Sequence, residues 1–127
     1  MDINLTQFAN QSYLNLETFR KSGQGVKTPV WFVQEGEVFY IWTQANSGKA
    51  KRVLNNDKVK IVLSRGDGAP LGDWISATAS RDDSGEALNY VRALMVKKYG
   101  LTFRLFSLLG KLRKIQYTIL ELSLSHL

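Results

Sequence analysis

Thr28–Arg52 runs TPVWFVQEGEVFYIWTQANSGKAKR, and its reading decides the fold. Val, Trp, Phe and Tyr crowd the two halves on either side of Glu35-Gly36, which predicts two strands joined by a short hairpin turn. The first strand is expected over Val26–Gln34 and the second over Glu37–Thr43, with Val38, Tyr40 and Trp42 alternating against Phe39 and Ile41. Pro29 cannot donate to a strand ladder, so it marks a strand's beginning, a bulge or a sheet edge. Beyond the second strand the character changes. Thr43, Ser47, Lys49, Lys51 and Arg52 bring hydroxyls and cations to one loop and the helix start after it. A half-buried aromatic surface ending in such a cluster suits a ligand with a flat ring at one end and a phosphate at the other.

Outward from this stretch the patterns are short. Leu5, Phe8 and Ala9 predict a short N-terminal helix. Ser12–Arg20 alternates as a strand, with Leu14, Leu16, Thr18 and Arg20 on one face, and Lys21–Gly25 is turn material. Ser47–Asn55 predicts a short helix packing Ala50, Val53 and Leu54. Lys58–Ser64 predicts a fourth strand, Arg65–Leu71 a loop and Trp74–Ser80 a fifth strand. Ala87, Leu88, Val91, Leu94 and Met95 make the apolar stripe of a helix over Ser84–Lys98, which Gly100 is suited to end. A second helix over Thr102–Lys114 and a last strand over Ile115–Leu124 follow. The expectation is a mainly β, α+β domain over 1–127: a five-strand meander in a small antiparallel sheet with helices at its margin. Such a sheet must close into a barrel or pair with another chain to hide its edges.

A chain of 127 residues is sized for one domain. It has no cysteine, which excludes disulfides, cysteine zinc sites and a thiol nucleophile. Its one histidine is His126, so neither a histidine metal cluster nor a Ser-His-Asp triad is expected. No secretory signal and no apolar run near the ~18 residues of a membrane span is present, and a cytoplasmic location without a membrane partner is expected. Lys and Arg number 17 against 11 Asp and Glu, a net charge of +6. That charge favours an anionic partner without choosing among nucleic acid, an acidic lipid surface and a phosphorylated ligand.

Ser47-Gly48-Lys49 resembles the end of a P-loop, but Thr43 and Ala50 stand where that motif needs a glycine and a hydroxyl residue. What remains is Ser47, Lys49 and Arg52 at a helix start, where free N–H groups favour an anion. A solvated basic helix face is the alternative reading. Asp67 and Asp73 are most simply turn residues, and at least one of Trp31, Trp42 and Trp74 is expected in the core. Arg20, on a strand among apolar neighbours, calls for an anionic partner.

The runs Leu16–Arg20 (LETFR), Thr28–Phe32 (TPVWF), Tyr40–Thr43 (YIWT), Ser47–Arg52 (SGKAKR), Trp74–Ala79 (WISATA) and Lys97–Gly100 (KKYG) together resemble the pyridoxamine-phosphate-oxidase-like superfamily. They are most similar to its branch of PPOX-class F420-dependent oxidoreductases. The resemblance implies an antiparallel split β-barrel of the FMN-binding type, a homodimer with two cofactor clefts between subunits, and a flavoprotein-like oxidoreductase. Carried over, Thr28, Pro29, Val30 and Trp31 would line the cofactor ring, and Thr43, Ser47, Lys49 and Arg52 would hold the phosphate. Arg20 and Lys51 would support them. The acidic tail of coenzyme F420 suits a basic protein, with FMN the alternative cofactor; some superfamily members bind haem. Hydride transfer to a small organic substrate is the implied chemistry, and no residue presents itself as a general acid.

A reading from another class is a basic barrel binding single-stranded nucleic acid on stacked aromatics. It requires aromatics and cations alternating on one exposed strand face. Here the cations gather at one loop and in the C-terminal helices, so nucleic acid is not the expected partner.

Overall fold

The structure, a computed structural model, describes residues 5–124; His126 lies outside them. Seven strands form one antiparallel sheet: β1 (Tyr13–Phe19), β2 (Gly25–Trp31), β3 (Val33–Glu35), β4 (Val38–Gln44), β5 (Lys58–Ser64), β6 (Ile75–Asp82) and β7 (Tyr117–Leu124). Three helices accompany it, α1 (Gly48–Asn55), α2 (Gly85–Tyr99) and α3 (Leu101–Leu112). Where a short N-terminal helix was expected, the described residues make a single 3-10 turn, Leu5–Phe8.

The strand order is β2-β1-β5-β6-β7-β4-β3, so the expected meander is not the topology. β4 pairs with β7 rather than β5, and the chain reaches β5 through α1. The single strand expected over Val26–Gln34 is two strands on opposite edges of the sheet, separated by Phe32 alone. Laid flat, the edges of seven strands would lie about 29 Å apart at ordinary spacing. One intervening residue reaches about 7 Å. The sheet must therefore curl until its edges meet at Phe32, which closes the barrel through the covalent chain. Pro29 sits on edge strand β2, where its missing N–H costs no ladder bond.

Alternation then sorts side chains inside and out. Leu14, Leu16, Phe39, Ile41, Ile61, Leu120 and Leu122 fill the barrel, and Phe8 plugs it edge-on against Phe39 at 4.9 Å between ring centres. Trp31, Tyr40 and Trp42 point outward and pack with Val33, Ile119 and the Val91, Met95 and Phe103 faces of α2 and α3. Phe39 and Phe103 are thus buried within one chain and supply no surface for a second.

Smaller departures have local causes. Glu35 pairs with Val38, so the hairpin turn is Gly36-Glu37, with Gly36 at a φ of 59° that suits glycine. Leu54 is 69% exposed rather than packed, because Ala50 and Val53 fill the face that α1 turns to the sheet. Asp67 is a turn residue as expected, its carboxylate accepting from the Ala69 N–H at 2.9 Å.

Where the two edges meet, the Phe32 backbone is held by α2. The Phe32 N–H donates to the Tyr99 hydroxyl at 3.0 Å. That hydroxyl stands 2.8 Å from the Ser12 carbonyl and 2.9 Å from the Phe32 carbonyl, and can donate to either. The Lys98 ammonium donates to the Phe32 carbonyl at 2.7 Å and lies over the Phe32 ring, 3.6 Å from its centre.

Candidate functional site

Because the barrel closes at Phe32, the end of β2 and the outward face of β4 come to one place, and α1 begins beside them. A cleft of about 500 Å³ lies there. Pro29, Val30 and Trp31 line it from β2, Thr43 from β4, and Ser47 and Lys49 from the start of α1. Six of the ten residues expected at a site are therefore together. Thr28, Lys51, Arg52 and Arg20 are not in its lining.

Trp42 and Gln44, on either side of Thr43, line it too, and the rest of the wall comes from segments farther off in sequence: Tyr13, Met95, Phe106 and Tyr117. Four rings run continuously along it. Trp31 and Phe106 are 5.8 Å apart between centres, Phe106 and Tyr117 6.2 Å, and Tyr117 and Trp42 5.1 Å. Trp31 is backed by Tyr99, stacked at 4.7 Å and 15°, so the latch at Phe32 also fixes a wall of the cleft. The Trp42 indole N–H is buried without a partner, a donor at the cleft's edge that a ligand carbonyl or ring nitrogen would satisfy.

The polar end has a different character. Ser47 caps α1, its hydroxyl accepting from the Ala50 N–H at 3.3 Å and lying 3.4 Å from the Thr43 hydroxyl. Lys49 and Arg52, three apart, share one side of the helix; Lys51 is exposed and turned away from them. The Arg52 Nε donates to the buried Thr18 hydroxyl at 2.7 Å, and its guanidinium folds back over Gly48. Burial, and then the charge of Arg20, lower the Arg52 pKa; burial, and then Arg52, lower that of Lys49. Arg20 itself lies just past the end of β1, exposed rather than packed beside Leu16 and Thr18, and makes its contribution through charge. Both ion pairs found among the described residues lie elsewhere, Lys58 with Asp57 and Arg81 with Asp83. The three cations thus repel one another with no carboxylate between them, an arrangement that an anion relieves.

No family model matches the sequence, and no curated relative does. Solved structures do match. The heme storage protein HutZ of Vibrio cholerae superposes with a TM-score of 0.70 at 19% identity, over 91% of this chain and 83% of that one. A pyridoxamine 5'-phosphate oxidase-like protein of Listeria innocua gives 0.68 at 11% identity, over 96% and 90%. An F420 reductase gives 0.65 at 15% identity, over 99% and 97%. The chain has the split-barrel fold of the pyridoxamine-phosphate-oxidase-like proteins. Identities this low carry a fold and not a reaction. Of these three, one is named for heme storage, one for a pyridoxamine 5'-phosphate oxidase and one for an F420 reductase.

Proposed function

We propose that this chain is a flavin- or deazaflavin-dependent oxidoreductase whose cofactor is coenzyme F420, acting on a small organic substrate. The observation that carries the reading is the cleft's division: an aromatic wall at one end and Lys49 at the other, with Arg52 and then Arg20 behind it and none of the three in an ion pair. The residues fit such a cofactor. Pro29, Val30 and Trp31 offer an apolar surface to a flat ring, and Trp42 a free donor. Lys49 and Arg52 would take the phosphate, with Arg20 adding charge from outside. When bound, the cofactor supplies hydride chemistry. The chain's own part is to orient the ring, exclude water from its apolar face and hold the anionic tail. A second copy would cover the open side of the cleft beside Phe106, and sedimentation at micromolar concentration should then show twice the chain mass. A stable monomer would refute that pairing.

FMN is the second reading, since a single phosphate also satisfies Lys49 and Arg52. Titration of the purified protein with each cofactor, followed by quenching of tryptophan fluorescence, separates the two. F420 is expected to bind more tightly at low salt; equal or tighter binding of FMN would transfer the assignment to the flavin.

A further inference from the structure

Helix α3 is apolar on both sides. Phe103 and Gly110 face the protein and are buried. On the opposite side Leu101, Leu105, Leu108, Leu109 and Leu112 are 71%, 54%, 53%, 54% and 72% exposed. At 3.6 residues per turn these five leucines fall within about 100° of arc, along a helix about 18 Å long. A monomer rarely leaves so continuous an apolar stripe in water. Phe106, 44% exposed and lining the cleft, lies about 60° beyond Leu109, so a copy seated over the cleft would meet that edge of the stripe and leave Leu101, Leu105, Leu108 and Leu112 uncovered.

The charge beside the stripe selects the occupant. Residues 101–114 include Arg104, Lys111, Arg113 and Lys114 and no Asp or Glu. Arg104 and Lys111 border one edge of the leucine arc, where a snorkelling side chain can keep its charge at a polar boundary. A second copy pairing helix to helix would set these cations against its own, with no carboxylate in α3 to receive either. A plane of anionic headgroups answers Arg104 and Lys111 and accepts the leucines beneath them. Among the described residues no helix is long and apolar enough to cross a membrane, so α3 would lie along the surface.

We propose that the outer face of α3 docks this chain onto anionic lipid, with the five leucines in the headgroup–acyl boundary and Arg104 and Lys111 among the phosphates. This reverses the expectation of no membrane partner. It brings the cleft, one of whose walls is Phe106 of the same helix, close to the bilayer.

The test is co-sedimentation of the whole chain with vesicles of phosphatidylcholine alone and of phosphatidylcholine mixed with phosphatidylglycerol. Binding is expected only with the anionic lipid, and should fall as salt rises. Leu108→Glu with Leu112→Glu should weaken it more than about tenfold, and so should Arg104→Glu with Lys111→Glu. All four side chains are exposed, so the variants should fold, as circular dichroism will check. Leu54→Glu, an equally exposed leucine on α1, should bind like the parent. The proposal is overturned if the chain stays in solution with anionic vesicles, if the leucine variant still binds, or if Leu54→Glu is lost equally. It is also overturned if the parent is a dimer that Leu108→Glu splits, which would give the stripe to a second copy.

Discussion

Gly48 shows how a single missing side chain can set the cation geometry. A methyl at this position would meet the Arg52 guanidinium, with Nη1 2.5 Å away. That group is the mobile end of a long side chain, so Gly48→Ala should leave folding stability nearly unchanged while displacing the charge. Weaker cofactor binding with an unchanged unfolding midpoint is the expected result. Lys49→Ala and Arg52→Ala should each cost about 1.5–3 kcal/mol of cofactor binding, the range for hydrogen bonds to charged groups. Unchanged affinity in both variants would remove the anion site. Lys49, Arg52 and Ser47 were legible in the sequence because they lie within one turn and a half of a single helix, where spacing alone sets their direction. Tyr13, Phe106 and Tyr117 were not, because nothing local distinguishes a cleft aromatic from a core one. Only the curl of the sheet brings them beside Trp31. Arg20 was misplaced for a related reason: alternation assigns it a face, but the strand stops one residue before it.

The junction at Phe32 is where reading by element fell short. Val26–Gln34 is uniformly rich in β-formers, and local propensity says extended chain without saying which edge of which sheet. Pro29 did announce an edge, but not that the next strand begins on the opposite one. Neither β2 nor β3 takes Phe32 as its own, so Tyr99 and Lys98 supply the missing partners. Tyr99→Phe leaves the Phe32 N–H without its acceptor and should cost about 1–3 kcal/mol in urea unfolding. Lys98→Met should cost less, since Tyr99 can still serve the Phe32 carbonyl. The pH dependence has a definite shape. Partial burial lowers the Lys98 pKa from 10.5 to about 8. Between those values the unfolded chain holds a proton that the folded one has released, so stability rises with pH. Burial raises the Tyr99 pKa from 10.0 to about 12. Over that window the folded chain keeps a proton that the unfolded one loses, and stability falls. Unfolding measured across the alkaline range should rise and then turn over near pH 10. Lys98→Met should flatten the rising limb, to which Lys49 also contributes, and Tyr99→Phe the falling one, to which Tyr40, Tyr90 and Tyr117 contribute; a profile unchanged in both variants would deny the latch.

The net charge of +6 acts on the molecule unevenly, and that unevenness gives the cofactor reading its sharpest consequence. One group of cations is Lys49 at the polar end of the cleft with Arg52 and Arg20 behind it, another runs along α3, and Glu35, Glu86 and Glu121 gather near Tyr40 and Tyr90. A ligand in the cleft therefore meets a local field more positive than the whole chain's charge suggests. FMN presents one phosphate to it. Coenzyme F420, on the proposed reading, would bring a phosphodiester and a glutamate tail, more negative charge for Lys49, Arg52 and Arg20 to meet. Interactions of that added charge are screened over about 10 Å at 0.1 M salt and about 3 Å at 1 M. Contacts of a ring with Pro29, Val30 and Trp31 would not be screened at all. The advantage of F420 over FMN should therefore be largest at low salt and shrink steadily towards the difference between the two rings at high salt. Arg20→Ala should reduce the low-salt advantage and leave FMN affinity nearly as it was. Dissociation constants for both cofactors, measured at several ionic strengths on the parent and on Arg20→Ala, test this directly. A ratio that does not move with salt would mean that the tail never meets the field, and the preference for the deazaflavin would lose its physical basis.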